Sequence, residues 1–547
     1  MAAAIIHSQK KSSMLFLQGV TYAHPNRDVL FSDINLTVNK QDKIALIGNN
    51  GAGKSTLLGI LAGRLKPMSG TAGADSNPYF VPQLFGQYNA LTVAEALGIH
   101  DKLLALREIL EGHLTDINLE LLDDDWGIEE RCQEAFAHWQ LHGISLSQAM
   151  AELSGGQKTK VFLAGIMIHE PDIVLLDEPS NHLDAASRVL LYDYIRSTGN
   201  TLVVVSHDRT LLNLLETVCE LSRRGVTVYG GNYDFYAAQK AIENEALNLD
   251  VKAKEKALRK AKEVEREAME RQQKLDARGK KKQEKAGLPT IVQNAFRNSA
   301  ERSTARMKGI HAEKVGGIAQ ELSHLRSELP AIDKMKLDFD NSSLHRGKIL
   351  IHAKQVNFTY DDQPLWHDNL DFQITSGERI AIKGTNGSGK TTLIRMILGE
   401  LQPVTGPEMS AIMERGDFKS IYIDQDYSLI NNALTVYEQA QQFNSGALQE
   451  HDIKIRLNRF LFTREYWDKA CANLSGGEKM RLMLCSLAIS TQAPDMIILD
   501  EPTNNLDIQN IGILTAAINE YRGTLLVVSH DAHFLREIEV GREITLE

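Results

Sequence analysis

Two glycine-rich stretches have the residue types and spacing to hold phosphate. "GNNGAGKST" covers Gly48, Asn49, Asn50, Gly51, Ala52, Gly53, Lys54, Ser55 and Thr56, and "GTNGSGKTT" covers Gly384, Thr385, Asn386, Gly387, Ser388, Gly389, Lys390, Thr391 and Thr392. Each follows an apolar run, "KIALI" or "RIAIK", that reads as a strand. In a strand, loop and helix context this GxxxxGK[ST] spacing turns backbone N–H groups inward around phosphate oxygens and adds the positive end of the next helix. Lys54 and Lys390 are expected to reach β- and γ-phosphates, with Ser55 and Thr391 on Mg²⁺. Nucleotide binding is the chemistry implied.

Two further runs, "DIVLLDEP" and "DMIILDEP", are continuous apolar strands that end in paired carboxylates. A buried parallel sheet presents its functional groups at such carboxyl ends. Asp177 and Asp500 are placed to complete a Mg²⁺ shell, and Glu178 and Glu501 to polarise or orient an attacking water. His207 and His530, each after an apolar "VVVS" or "LVVS" run, are expected to contact the γ-phosphate.

The chain repeats itself, which fixes its organisation. "LSGGQ" at 153–157 returns as "LSGGE" at 474–478, and Asp177 to Asp500 and His207 to His530 are both 323 residues apart. Lys54 to Lys390 spans 336, and Gln83 to Leu153 spans 70 residues against 49 for Gln425 to Leu474. The first copy therefore holds an insertion at about 100–135, either a longer loop or a small functional arm near "LLDDDWGIEE". The expected fold is α/β: a first nucleotide-binding domain at 1–236, a linker at 237–348 and a second nucleotide-binding domain at 349–547.

LSGGQ or LSGGE lying 24 and 26 residues before the strand-end aspartate resembles the signature of ABC ATPases. That resemblance covers both domains almost whole. It implies two ATP molecules sandwiched between the domains, with Lys54 sharing a site with Ser475, Gly476, Gly477 and Glu478, and Lys390 with Ser154, Gly155, Gly156 and Gln157. It also implies Gln83 and Gln425 as Mg²⁺-linked glutamines and Tyr22 and Tyr360 as adenine-stacking rings, although a core tyrosine would look the same in "GVTYAHPN" or "NFTYDDQP".

The linker has a different character. Ala257, Ala261, Val264, Ala268 and Leu275, then Val315, Ile318, Leu322, Leu325, Leu329 and Ile332, form two narrow apolar seams of helical period, with Gly287 and Pro289 between them. This predicts an antiparallel helical hairpin. From Lys252 to Lys308 there are eighteen Lys and Arg against eight Asp and Glu, a net of +10, which leaves −21 for the rest of a chain whose formal charge is −11. Basic charge concentrated on a projection, with the apolar tip "GLPTIVQNAFR", suits a polyphosphate partner.

Tandem ABC domains around a charged helical hairpin resemble the F subfamily of ABC ATPases. That resemblance implies a cytoplasmic ATPase using ATP and Mg²⁺, a monomer closing its own two domains. Its expected partner is the ribosome, through ribosomal RNA and tRNA near the tRNA exit site, and neither DNA nor a membrane. Lys160 and Ser180 stand where many members have Arg and Thr. Without a run of 18 apolar residues or a secretory leader pattern, no membrane span is expected. Four scattered cysteines suggest neither disulfides nor zinc, and the C-terminal extension of some members is not expected. The rival reading is a soluble ATPase subunit that energises a membrane transporter.

Overall fold

Runs such as "IVLLD" and "TLVVV" have no polar face to offer water, and in the computed structural model the strands Ile173–Asp177 and Thr201–Val205 are buried at every residue. The structure describes residues 13–24, 28–222, 225–285, 290–328, 344–360, 363–403, 411–444, 446, 448–490, 493–504 and 506–546; of the side chains within these, it excludes those at 13–14, 276, 279–304, 307–308 and 327–328. The chain divides into two compact units, one formed by Met1–Tyr236 with Lys334–Glu547, the other by Ala237–Asp333.

Within the larger unit each motif copy builds a parallel sheet flanked by helices. In the first copy the strand order is Tyr79–Val81, Ile173–Asp177, Thr201–Val205, Lys43–Ile47, Thr217–Ser222 and Gly225–Tyr229, parallel except for the last pair. The second copy runs Ser420–Ile423, Met496–Asp500, Thr524–Val528, Arg379–Gly384 and Arg542–Leu546, all parallel. In both, the strand leading into the phosphate loop lies two strands from the one that ends in the paired acids. That order gathers loop, carboxylates and histidine at one sheet edge. A separate antiparallel sheet, Val29–Asn39, Ser13–Ala23 and Ser69–Ala74, contributes Leu15, Leu17, Ile34 and Leu36 to the core behind the first loop. Its counterpart is Leu370–Thr375, Ile349–Val356 and Ile412–Arg415.

The insertion in the first copy is helical. His100–Leu110, Asp116–Leu122 and Ile128–His138 follow one another, and Thr115 caps the middle helix by accepting from the Asn118 N–H at 3.2 Å. Asp125 holds the arm together, 2.6 Å from Arg131 and 3.3 Å from Lys102.

The smaller unit is a hairpin of two long helices, Tyr233–Lys285 entering it and Thr290–Glu328 returning. They lie antiparallel: Lys254 pairs with Glu321, and Arg326 reaches Glu255 at 2.6 Å. The returning seam is as expected, with Val315, Ile318 and Leu325 half-buried and Leu322 buried. The outgoing seam is shifted. It passes through Val251, Lys254, Leu258, Ala261, Glu265, Ala268 and Gln272, whereas Ala257, Val264 and Leu275 are exposed. Ala261 and Ala268 keep the expected positions, and Lys, Glu and Gln stems cover the seam where an apolar count alone places valine and leucine. Gly287, Leu288, Pro289, Leu329 and Ile332 lie outside the described residues, as do the side chains of Lys280, Lys281, Lys282, Ile291, Val292, Phe296, Arg297 and Arg302.

Candidate active site

The first phosphate loop opens at the end of Lys43–Ile47 and closes into the helix Lys54–Leu61. Gly53, immediately before that helix, has φ 97°, and a Cβ there would meet Leu30 and Phe31 at 2.7 and 2.8 Å, so a side chain is excluded both by conformation and by space. Lys54 is buried, and its ammonium donates to the carbonyls of Gly48 at 2.7 Å and Asn49 at 3.3 Å, which keeps it inside the loop. Lys390 does the same with Gly384 and Thr385 at 2.9 and 2.8 Å. Burial lowers the pKa of both lysines, opposed by Glu178 at Lys54 and by Glu501 at Lys390.

Beside each loop stands an acid pair. Burial pushes Asp177 up to about 6, opposed by a hydrogen bond from Ser55 and by Lys54. Glu178 leaves the strand in the left-handed region, φ 52°, while its N–H still donates to Val205 O at 2.8 Å; Glu501 repeats this with φ 47° and Val528 O at 2.8 Å. A non-glycine residue in that conformation is strained, and its recurrence at both acids marks the turn that aims the carboxyl. Burial drives Glu178 up to about 8, against Lys54, and Glu501 up to about 7, against Arg188. His207 Nε2 lies 3.2 Å from Glu178 Oε1, and His530 Nε2 lies 3.4 Å from Glu501 Oε1, both out of line for a hydrogen bond. Burial holds His207 well below the ordinary range and lowers His530 to about 4, so both rings are neutral at physiological pH.

Among the described residues, the buried atoms Asp177 Oδ1, Glu178 Oε1, His207 Nδ1, Glu501 Oε1, His530 Nε2 and Ser388 Oγ have no hydrogen-bond partner. Unpartnered buried polar atoms are rare unless a ligand completes them. At the first site Asp177, Ser55 and Gln83 supply the all-oxygen donors that a hard divalent cation requires, so these residues fit Mg²⁺.

A cavity of about 350 Å³ brings together Asn50, Gly51, Gly53, Lys54, Ser55, Thr56, Gln83, Asp177, Glu178 and His207 with Ser475 of the second domain. Further contacts cross between the domains. Asn50 N–H donates to Asp507 Oδ2 at 2.8 Å, and Asn386 Nδ2 donates to His182 O at 3.1 Å. Ser154 and Ser475 each cap the helix that follows by accepting the N–H of Gln157 or Glu478 at 3.3 Å, and those side chains return to the serine N–H at 2.9 and 2.8 Å. Gln157 and Glu478 are thus committed to capping boxes. Gly155 and Gly476 begin these helices. At Gly156 a Cβ would meet His182 O at 2.7 Å and Asn386 Nδ2 at 3.3 Å, and at Gly477 it would meet Asn510 at 2.3 Å. Ser475 thus lines the cavity of the first loop, and Gly156 and His182 of the first domain lie beside Asn386 of the second loop.

Two expected residues sit differently from their partners. Tyr22 is half-buried against the core, 6.1 Å from the Phe31 ring, and does not line the cavity, where His24 and Leu30 stand instead. Tyr360 is exposed, with its hydroxyl 3.2 Å from Thr392 Oγ1 at the start of the second loop helix. Gln425 is exposed in the loop after Ser420–Ile423.

The ABC transporter family model matches residues 31–181 and 367–504, more than half of the chain. ABC transporter F family member 5 of Arabidopsis thaliana is 32% identical over 98% of this chain and 75% of that protein. The chain belongs to the ABC-F family. ATP-binding protein Uup of Haemophilus influenzae is 29% identical over 92% of this chain and 75% of its own length. Among solved structures, the complex of archaeal ribosomal stalk protein aP1 and archaeal ribosome recycling factor aABCE1 contains a chain of the same fold, with TM-score 0.58 and 20% identity over 96% of this chain and 87% of that one. Among the described residues no helix is long and apolar enough to cross a membrane.

Sequence reading of this ABC-F protein missed Asp184 and Asp507, which follow "SNHL" and "TNNL" in both copies. Their repetition was the available signal. Asp507 reaches the first loop directly, and the charge of Asp184 acts on Lys390. Also unanticipated is Tyr422, whose hydroxyl donates to Asp500 Oδ2 at 2.9 Å.

Proposed function

We propose that this ABC-F protein is an ATPase with two composite sites that binds the ribosome through its basic hairpin, near the tRNA exit site, and so acts on translation. The observation that carries this reading is the charge division of the chain, +10 on 252–308 against −21 elsewhere, on a helical element joined to two ATP domains. An acidic body is repelled by RNA, so attraction to a phosphate-rich partner has to come from the hairpin. Relatives carry the ABC-F name, and a solved protein of the same fold is a ribosome recycling factor.

In this reading the loop amides and Lys54 or Lys390 bind the phosphates. Ser55, Asp177 and Gln83, with Thr391, Asp500 and Gln425 at the second site, would hold Mg²⁺, which when bound neutralises phosphate charge. Glu178 and Glu501, made more basic by burial, orient the attacking water and accept its proton. The backbone N–H groups of His207 and His530 hold those carboxyls, and the neutral rings stand beside them. Ser475 and Ser154 enter from the opposite domain, so hydrolysis requires closure.

The test is sedimentation of the Glu178→Gln, Glu501→Gln double variant with ATP. It is expected to travel with ribosomes. Travel with membranes instead would favour a transporter subunit and overturn the reading.

A further inference from the structure

The two motif copies are alike at the loops, acids and histidines, but not on the helices that follow "SNHLD" and "TNNLD". With the offset of 323, Asp208 corresponds to Asp531, Arg188 to Ile511 and Tyr192 to Thr515. In the first copy the helix Ala185–Ser197 begins at Asp184, which accepts from Ser187 N–H at 2.9 Å. One turn in, Arg188 donates from Nε to Leu183 O at 3.2 Å and places Nη1 3.8 Å from Asp208 Oδ2. Tyr192 donates to the same Asp208 oxygen at 2.5 Å. The Arg188 side chain is only 12% exposed, so its guanidinium is fixed rather than free in solvent.

That fixed charge belongs by position to the other domain's site. Leu183 follows His182, whose carbonyl accepts from Asn386 of the second phosphate loop. Across the boundary stand Glu501 and His530, on which the charge of Arg188 acts together with Lys390, Asp500 and Asp184. The charge of Asp531 likewise acts on Tyr192. At the first site the equivalent position is Ile511, buried within the helix Ile508–Glu520, and the charges acting on Glu178 are Lys54, Asp177 and Asp208 of its own domain. A second difference lies at the strand-end aspartates: Asp500 accepts from Tyr422, whereas Asp177 accepts from Ser55 and the residue aligned with Tyr422 is Phe80.

We propose that Arg188 is a positioning residue for the second ATP site, contributed in trans by the first domain and without a counterpart at the first site, so that the two sites hydrolyse ATP unequally. A guanidinium offers fixed donors and a permanent positive charge, and a boundary crowded with Glu501, Asp531 and nucleotide phosphate is where such a charge favours closure and the transition state. The Nε hydrogen bond to Leu183 O also ties the guanidinium to the first domain's "SNHLD" segment, whose His182 carbonyl meets the second loop.

The proposal rests on the ATPase reading, and the test separates the two. Glu178→Gln leaves the second site as the hydrolytic one and Glu501→Gln leaves the first. Steady-state hydrolysis is measured against ATP concentration in each background with Arg188 intact, as Arg188→Ile and as Arg188→Lys. In the Glu178→Gln background, Arg188→Ile is expected to lower kcat about 10-fold with KM changed less than about threefold, and Arg188→Lys to recover part of the loss. In the Glu501→Gln background the same change is expected to shift kcat by less than about twofold. Equal slowing in both backgrounds, or no slowing in the first, overturns the role of Arg188. If the unsubstituted protein does not hydrolyse ATP, the ATPase reading falls and the inference with it; if it does and neither parent with Arg188 intact does, the sites are not independent and the inference alone falls.

Discussion

Glu178→Gln is expected to stabilise the nucleotide-free protein, by an amount that grows with pH. Burial holds the folded carboxyl at about 8 against an ordinary 4.5, so folding at neutral pH either takes up a proton or buries a charge. A group raised in the folded state lends stability that is fully present below its unfolded pKa and is lost as pH rises through the folded value. Between pH 4.5 and 7.5, at about 1.4 kcal/mol per unit, the wild type loses on the order of 4 kcal/mol relative to a neutral side chain. The amide cannot pair every atom the carboxyl leaves, so the expected net gain at pH 7.5 is about 2–3 kcal/mol. For a domain of this size that is roughly 5–10 °C in Tm. At pH 5 the gain should fall below about 1 kcal/mol. Lys54 and His207 both lie against Glu178, and the attraction that Lys54 loses in the variant offsets part of the gain. Thermal unfolding of both proteins from pH 5 to 8.5 without nucleotide provides the assay. A Tm difference that stays constant across this range, or a variant less stable at pH 8, would refute the buried-carboxyl argument.

Glu178→Gln combined with Glu501→Gln should retain ATP while steady-state hydrolysis falls at least about 100-fold, because the amide keeps the shape and loses the basicity; near wild-type turnover contradicts the assignment. Ser475→Ala should weaken nucleotide at the Lys54 site and spare the Lys390 site, read by occupancy of each site in the closed state. Asp507→Ala should likewise act on the first site, since its carboxylate holds Asn50 N–H at 2.8 Å across the domain boundary; an effect confined to the second site excludes that coupling.

The loops, acids and histidines were legible in sequence because each needs a particular residue at fixed spacing on a period-2 strand or a helix start, and both copies repeat it. Tyr22 was harder to read, because an aromatic in a half-buried strand satisfies the core as well as it would a base; its ring lies 6.0 Å from that of His24, which lines the cavity. The outgoing seam was read in part: Ala261 and Ala268 lie on it, whereas Ala257, Val264 and Leu275 do not, because the half-buried stems of Lys254 and Glu265 are nothing an apolar period reports. Arg188 was illegible for a related reason: its significance lies in Glu501 and His530, more than 300 residues away, and in the isoleucine that replaces it in the other copy.

The central claim, that the basic hairpin meets RNA on the ribosome, is tested most directly by titrating ribosomes at several salt concentrations with the ATP-locked double variant. The measurement is repeated after neutralising Lys280, Lys281, Lys282, Arg297, Arg302 and Arg306. The account predicts weaker binding and a flatter dependence of log affinity on log salt, by roughly 0.7 to 0.9 for each RNA phosphate that is no longer neutralised. An unchanged affinity and slope would contradict it.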